Sequence, residues 1–464
     1  MEKEKIKELI ISAVFSSNQF FNNKILDQID LKLVKGITKY NGIVLKEFKV
    51  TKNECLTYLD SFISETAHVK KLKTTDPSLK NPIIFKVGNN YEELINTVFS
   101  INMAKMVPQG KIATNTDKKY SYSLKTVSLE ILIEILLNTK VEKMDPISLP
   151  FVSSLNNFQN SEGIKELDIS QLNLDLSQIN KKKAIYFLLE SMINRNLMVL
   201  SLASPNLDWM QDIEVQQRLS SMLFNLNFEN YKIRLSENYE DFLRWRNNSS
   251  SVHKDLSEIS LPRKVYNDAL LHLYSAANWS DDPFTQYIYY YQIIERKFSQ
   301  IHRKNLIELL RRDVSRPDFE INNEDEIYKI EESIIKQSID NRKEENQLKD
   351  VIKNYFPSVN DFFIFKKKFT KDQLKYYLNN IPEFLDKNMK NKIVIDFTSE
   401  NLDKIYNPLA KRIYTIRTSL VHNKEGRANN YDPTVDYSNL AKEVPLIRIL
   451  AENIILNSSD EYLS

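Results

Sequence analysis

Apolar positions recur at helical spacing over most of this chain and at strand spacing in a few short stretches near its start. Residues 1–35 set Ile6, Leu9, Ile10 and Val14 among charges of alternating sign, which predicts a helix. Residues 43–50 (Ile-Val-Leu-Lys-Glu-Phe-Lys-Val) predict a strand, as do residues 83–87, bounded by Pro82 and Gly88. Residues 126–139 (Thr-Val-Ser-Leu-Glu-Ile-Leu-Ile-Glu-Ile-Leu-Leu-Asn-Thr) predict a buried helix. Residues 1–145 therefore form a mixed α/β N-terminal region in this reading.

A polar stretch from Asp145 to about Asn180, with Pro146, Pro150 and many Asn, Ser and Gln, marks a first boundary. Residues 146–260 then predict a helical middle region, with helices at Ala184–Leu200, Asp208–Leu226 and Asn238–Trp245. The serine- and asparagine-rich run from Arg246 to His253, followed by Pro262, marks a second boundary at 247–263, because these side chains compete with the helical backbone for hydrogen bonds. Residues 261–464 carry the strongest helical signal. Helices are expected at 264–277, 284–303, 371–379, 399–421 and 438–457, with a charged, solvated helical region at 320–350. Asn407-Pro408 either starts a helix or kinks one begun near Ser399. The fold class is mainly α, with a mixed α/β N-terminal region, a helical middle and a C-terminal helical bundle.

Composition narrows the chemistry. Lys+Arg 64 against Asp+Glu 62 leaves a net +2, so a basic surface for nucleic acid must be a local patch. The chain has a single cysteine, Cys55, which excludes an internal disulfide and a cysteine zinc cage. Six glycines, none close enough together to cradle phosphate, exclude the P-loop, dinucleotide and kinase glycine loops. The five histidines form no pair at metal-ligand spacing, and no cofactor or metal is expected. The charged N-terminus lacks a signal-peptide core, and no apolar run of about 18 residues occurs. A cytoplasmic protein without a membrane segment is expected.

One constellation suits a definite reaction. The helix after Pro408 places Leu409, Ile413, Ile416 and Leu420 on one core stripe, with Arg417 beside it and His422 at or just past the helix end. An imidazole near neutral pKa can take the proton from a ribose 2′-hydroxyl, and a guanidinium can stabilise charge on the pentacovalent phosphorus. Together they suffice for metal-free RNA cleavage to a 2′,3′-cyclic phosphate and a 5′-hydroxyl. The bare spacing also fits a surface arginine and a helix-capping histidine, and it recurs at Arg296/His302 and Arg246/His253. Glu295 shares an apolar stripe with Phe284, Ile288, Tyr291, Phe298 and His302. A carboxylate inside that stripe needs a partner, either Arg417 or a nearby lysine, unless Glu295 simply lies at the stripe's edge. His302 reads as a packed core histidine, and the tyrosine run 287–291 reads as core more than as a base-stacking surface.

The last 200 residues or so resemble the HEPN superfamily, the all-α domains of prokaryotic toxins, anti-phage nucleases and CRISPR-associated ribonucleases. The resemblance rests on Tyr289–Phe298 on an early helix, on Ile416-Arg417-Thr-Ser-Leu-Val-His422-Asn-Lys-Glu, and on Tyr431-Asp-Pro433 before a closing helix. Thr418, where the family commonly has asparagine, is a departure. The resemblance implies a metal-independent endoribonuclease, in a toxin-like or anti-phage setting, with Arg417, His422 and Glu295 as site residues. It also implies RNA as substrate and a homodimer in which two Arg417/His422 pairs face each other. Residues 1–260 would then bind a trigger or protein partner. The alternative is a non-catalytic helical interaction subunit of a larger defence complex.

Overall fold

A computed structural model describes residues 2–19, 22–25, 27–35, 43–65, 69–72, 83–97, 110–114, 120–139, 164–168, 177, 179–191, 193, 197–203, 211–229, 231–236, 238–244, 261–262, 264–341, 343–421 and 431–458. The chain is mainly α, with a mixed α/β N-terminal part, and divides into two compact units, Met1–Arg263 and Lys264–Tyr462. No helix among the described residues is long and apolar enough to cross a membrane.

The first unit runs α1 (Glu2–Phe15), β1 (Ser16–Gln19), β2 (Asn22–Ile25), β3 (Gln28–Lys35), β4 (Ile43–Thr51), α2 (Lys52–Glu65), β5 (Lys70–Lys71), β6 (Ile84–Val87), β7 (Asn90–Thr97), β8 (Gly110–Thr114), β9 (Ser121–Thr126), α3 (Leu129–Leu137), β10 (Ile164–Asp168), α4 (Lys181–Ser191), β11 (Met198–Ala203), α5 (Asp212–Phe228), β12 (Ile233–Leu235) and α6 (Tyr239–Arg244). Its main sheet has the order β5-β6-β7-β11-β9-β8, with β12 also paired to β7. Strand periodicity sends alternate side chains to opposite faces. Leu94 and Val199 join a core with α1 to α4, whereas Ile95, Leu200 and Leu202 join a second core with α5.

The expected strands at 43–50 and 83–87 correspond to β4 and β6, and the expected helix at 126–139 to α3. Ser128 caps α3 by accepting a hydrogen bond from Ile131 N. The expected helix Ala184–Leu200 is corrected. It ends at Ser191, and Met198-Val-Leu-Ser-Leu-Ala instead forms β11 between β7 and β9. A short apolar run fits a buried strand as well as a buried helix; pairing on both edges decides between them here. That pairing also places β11 in one sheet with strands from the first 145 residues, so a single unit spans the boundary expected near 145.

Glu190 on α4 has an unusual setting. Burial pushes its carboxyl up to about 7, and the charge of Glu130 adds to the effect. The Tyr186 hydroxyl donates to its Oε1 at 3.2 Å. A carboxyl with a raised folded pKa binds its proton more tightly folded than unfolded. Stability is therefore present below the unfolded value of about 4.5 and falls as pH rises from there through about 7. Because the side chain is not fully buried, the loss is about 1–2 kcal/mol. Glu190→Gln should raise the thermal midpoint at pH 8 and leave it nearly unchanged at pH 4.5. Equal shifts at both pH values in a calorimetric scan would contradict this account.

The second unit comprises α7 (Asp268–Trp279), α8 (Pro283–Glu295), α9 (Phe298–Val314), α10 (Glu324–Asp340), α11 (Glu344–Tyr355), α12 (Val359–Lys366), α13 (Lys371–Asn379), α14 (Lys390–Ile393), α15 (Asp403–Val421), α16 (Tyr437–Ala441) and α17 (Val444–Asn457). Helix α8 packs against α7, α11, α15, α16 and α17. Asp282 caps it through Phe284 N and Thr285 N, and Pro283 takes the first turn, where no backbone donor is needed. Tyr287, Tyr290 and Tyr291 are buried, which makes the tyrosine run core. The Tyr287 hydroxyl donates to Ile413 O at 3.3 Å and that of Tyr406 to Phe356 O at 2.6 Å, so these buried phenols are satisfied.

Two expectations for this unit are refined. The stretch 284–303 is two helices, parted by a turn at Arg296–Lys297. Both residues keep right-handed dihedrals, which is why the periodicity runs on across the break. Pro408 lies inside α15, so the helix begins upstream of Asn407-Pro408 rather than at it.

Candidate functional site

Helix α15 carries the expected core stripe. Leu409, Ile413, Ile416 and Leu420 are all buried. Arg417 sits beside the stripe, one turn from the helix end at Val421. Its side chain is 20% exposed, and its Nε lies 3.4 Å from Glu344 Oε1 on α11. The guanidinium carbon is 5.5 Å from the centroid of the Tyr291 ring on α8. Three helices thus fix this arginine. The Tyr291 hydroxyl donates to the same Glu344 oxygen. Burial raises the Tyr291 pKa, and the hydrogen bond to Glu344 and its charge raise it further, so the phenol stays protonated and serves as a donor.

Glu344 and Tyr291 hold the Nε edge and one face of the guanidinium. Its two Nη groups make no hydrogen bond to a described residue. A planar cation anchored in this way has a fork of donors that no described residue occupies, which suits a phosphate. His422, five residues on, lies outside the described residues, as does the stretch to Asn430. The chain resumes at Tyr431, whose ring stacks on Phe284 at 6.1 Å and meets Phe384 edge-on at 5.5 Å. The Tyr437 hydroxyl donates to Asp281 O at 2.9 Å. Tyr431 and Tyr437 are therefore held near the start of α8.

Glu295 is not the partner of Arg417. It is the last residue of α8 and exposed, and no ion pair joins the two. The buried face of α8 runs through Pro283, Tyr287, Tyr290, Tyr291 and Ile294, which turns Glu295 to its edge. The anchoring carboxylate comes instead from Glu344. His302 lies partly exposed on α9, with Nδ1 against the side-chain amide of Asn341. Arg246 and His253 lie outside the described residues.

A second cation on α15 escaped the sequence reading. Arg412 and Glu443 are both fully buried and form a bidentate pair, at 2.9 Å from Nε and 2.7 Å from Nη2. Arg412 Nη1 also donates to Asn380 O at 3.0 Å and Ile393 O at 3.1 Å. The signal was present, since 409, 412, 413 and 416 fall on one helical face, which demands a partner for an arginine at 412. The pair joins α15 to the start of α17 and sets the roll of α15, and with it the direction of Arg417.

Among the described residues no group of three or more His, Cys, Asp or Glu side chains is placed to hold a metal ion. Comparison of the chain with family models, with curated proteins and with solved structures finds no match in any of the three. The reading of the site therefore rests on its chemistry alone.

Proposed function

We propose that this chain is a metal-independent endoribonuclease of the HEPN type, in which Arg417 and His422 act on the phosphodiester of RNA. The observation that carries the reading is the Arg417 guanidinium, anchored by Glu344 and set over the Tyr291 ring, with neither Nη group hydrogen-bonded to a described residue. In the reaction His422 takes the proton of the ribose 2′-hydroxyl, and the 2′-oxygen attacks phosphorus. Arg417 stabilises the added negative charge of the pentacovalent state. The bond to the 5′-oxygen breaks, and that oxygen takes a proton from the imidazolium of a second copy. The products are a 2′,3′-cyclic phosphate and a 5′-hydroxyl. A homodimer supplies the second pair, and the first unit binds the trigger or partner that releases the activity.

The test is cleavage of an end-labelled RNA by the full chain, with and without EDTA, and analysis of the new ends. The expected result is cutting that EDTA does not touch and that leaves cyclic phosphate ends. Cutting that requires a divalent metal, or that leaves 3′-hydroxyl ends, rejects the mechanism.

A further inference from the structure

We propose that the cleft between α9, α10 and α11 is a nucleotide-binding site, separate from Arg417. The cleft has a volume of about 910 Å³, within the range of roughly 300–1,000 Å³ that small-molecule sites occupy. Four cations line it, Arg312, Lys336, Lys349 and Lys353, against two carboxylates, Glu308 and Asp350.

The cations are not equally free. Lys353 pairs with Asp403 at 3.3 Å and Arg312 with Asp313 at 2.9 Å. Asp350 accepts from Asn305 Nδ2 at 3.3 Å, and burial raises its pKa against the opposing charges of Lys353 and Lys349. Lys336 and Lys349 make no ion pair with a described residue. Two ammonium groups on α10 and α11 that form no ion pair with a described residue suit the oxygens of a phosphate.

The floor of the cleft asks for something else. Asn341 is 6% exposed, and its Oδ1 accepts no hydrogen bond from a described residue; the same holds for the buried Oε1 of Gln337, one helical turn earlier on α10. An unpaired buried carbonyl oxygen costs about 1–3 kcal/mol, so native proteins seldom keep two together. Turning the Gln337 amide towards the cleft breaks no hydrogen bond through its oxygen, whereas turning that of Asn341 exchanges its contact with His302 Nδ1 for one to a ligand. The pair then awaits neutral donors such as ribose hydroxyls or the exocyclic amino group of a base. Inorganic phosphate answers the lysines but not these amides, whereas a nucleotide answers both. Its source is either a free mononucleotide or one unit of a nucleic acid strand.

The test is calorimetric titration of the full chain with three probes: inorganic phosphate, adenosine 5′-diphosphate and a 2′-O-methyl hexanucleotide that cannot be cleaved. Adenosine 5′-diphosphate should bind at one site per chain, at least tenfold more tightly than phosphate. The double substitution Lys336→Ala with Lys349→Ala should weaken it at least tenfold. Gln337→Met, which keeps the size and removes the amide, should weaken the nucleotide about two- to tenfold and leave phosphate unchanged. A hexanucleotide that binds more tightly still, with a steep salt dependence, and loses that affinity in the double lysine variant identifies a strand; affinity equal to that of the diphosphate identifies a free nucleotide.

Circular dichroism of each variant confirms that it folds, as expected for partly exposed side chains. No binding of either nucleotide probe overturns the proposal, as does nucleotide affinity no better than that of phosphate or unchanged in the lysine variant. Arg417→Ala should bind adenosine 5′-diphosphate as the wild type does. Loss of binding there would place the ligand at the other site and overturn the proposal too. Because no probe is cleavable, these outcomes are independent of whether the chain cuts RNA.

Discussion

Arg412→Ala is expected to destabilise the C-terminal unit by about 3–5 kcal/mol, the usual cost of stranding one member of a buried ion pair. Glu443 would be left in a fully buried position without its partner, and the carbonyls of Asn380 and Ile393 would lose their donor. For a unit of this size the loss corresponds to roughly 6–20 °C in thermal midpoint. Hydrogen exchange of peptides from α15 and α17, followed by mass spectrometry in the full chain, localises the effect. The double substitution Arg412→Met with Glu443→Leu should recover much of the loss, because apolar groups of similar volume often replace a buried pair at little cost. A single substitution as mild as the double one would show that the pair carries no such strain.

Removal of the proposed chemistry should have an effect of similar size on rate. His422→Ala should lower RNA cleavage by about 10²–10⁴-fold, the usual contribution of a positioned general base. Arg417→Ala should lower it by about 10²–10³-fold, as when one preorganised donor to a developing oxyanion is removed. The two losses should not multiply, since both groups serve one transition state. Arg417→Lys restores the charge without the fork and should recover only part of the rate. Glu344→Gln tests positioning, since it keeps an oxygen near Nε and removes the charge; its effect should be smaller than that of Arg417→Ala. If single-turnover cleavage persists unchanged in both His422→Ala and Arg417→Ala, the interaction-subunit reading takes precedence.

The candidate site was legible in part. Arg417 was visible because its neighbours on α15 have strict helical spacing, and Leu409, Ile413, Ile416 and Leu420 are buried as that spacing requires. Its partner was not visible, because Glu344 lies on a helix begun far upstream and pairs with it only through the packing of α11 on α15. Glu295 looked better placed because one residue of helical rotation separates an edge from a face. Sequence periodicity does not resolve an offset of about 100° at a helix end.

Local chemistry alone determined the helices of the second unit, their caps at Asp282, Ser358 and Thr370, and the strands β4 and β6. Those features depend on residues within a turn or two of one another, and the sequence states them directly. Tertiary structure decided that Met198–Ala203 is a strand, that Arg412 is sealed against Glu443 and that Glu344 holds Arg417. Each is a choice among long-range partners, made by which pairing buries the most apolar surface while leaving the fewest polar groups unsatisfied.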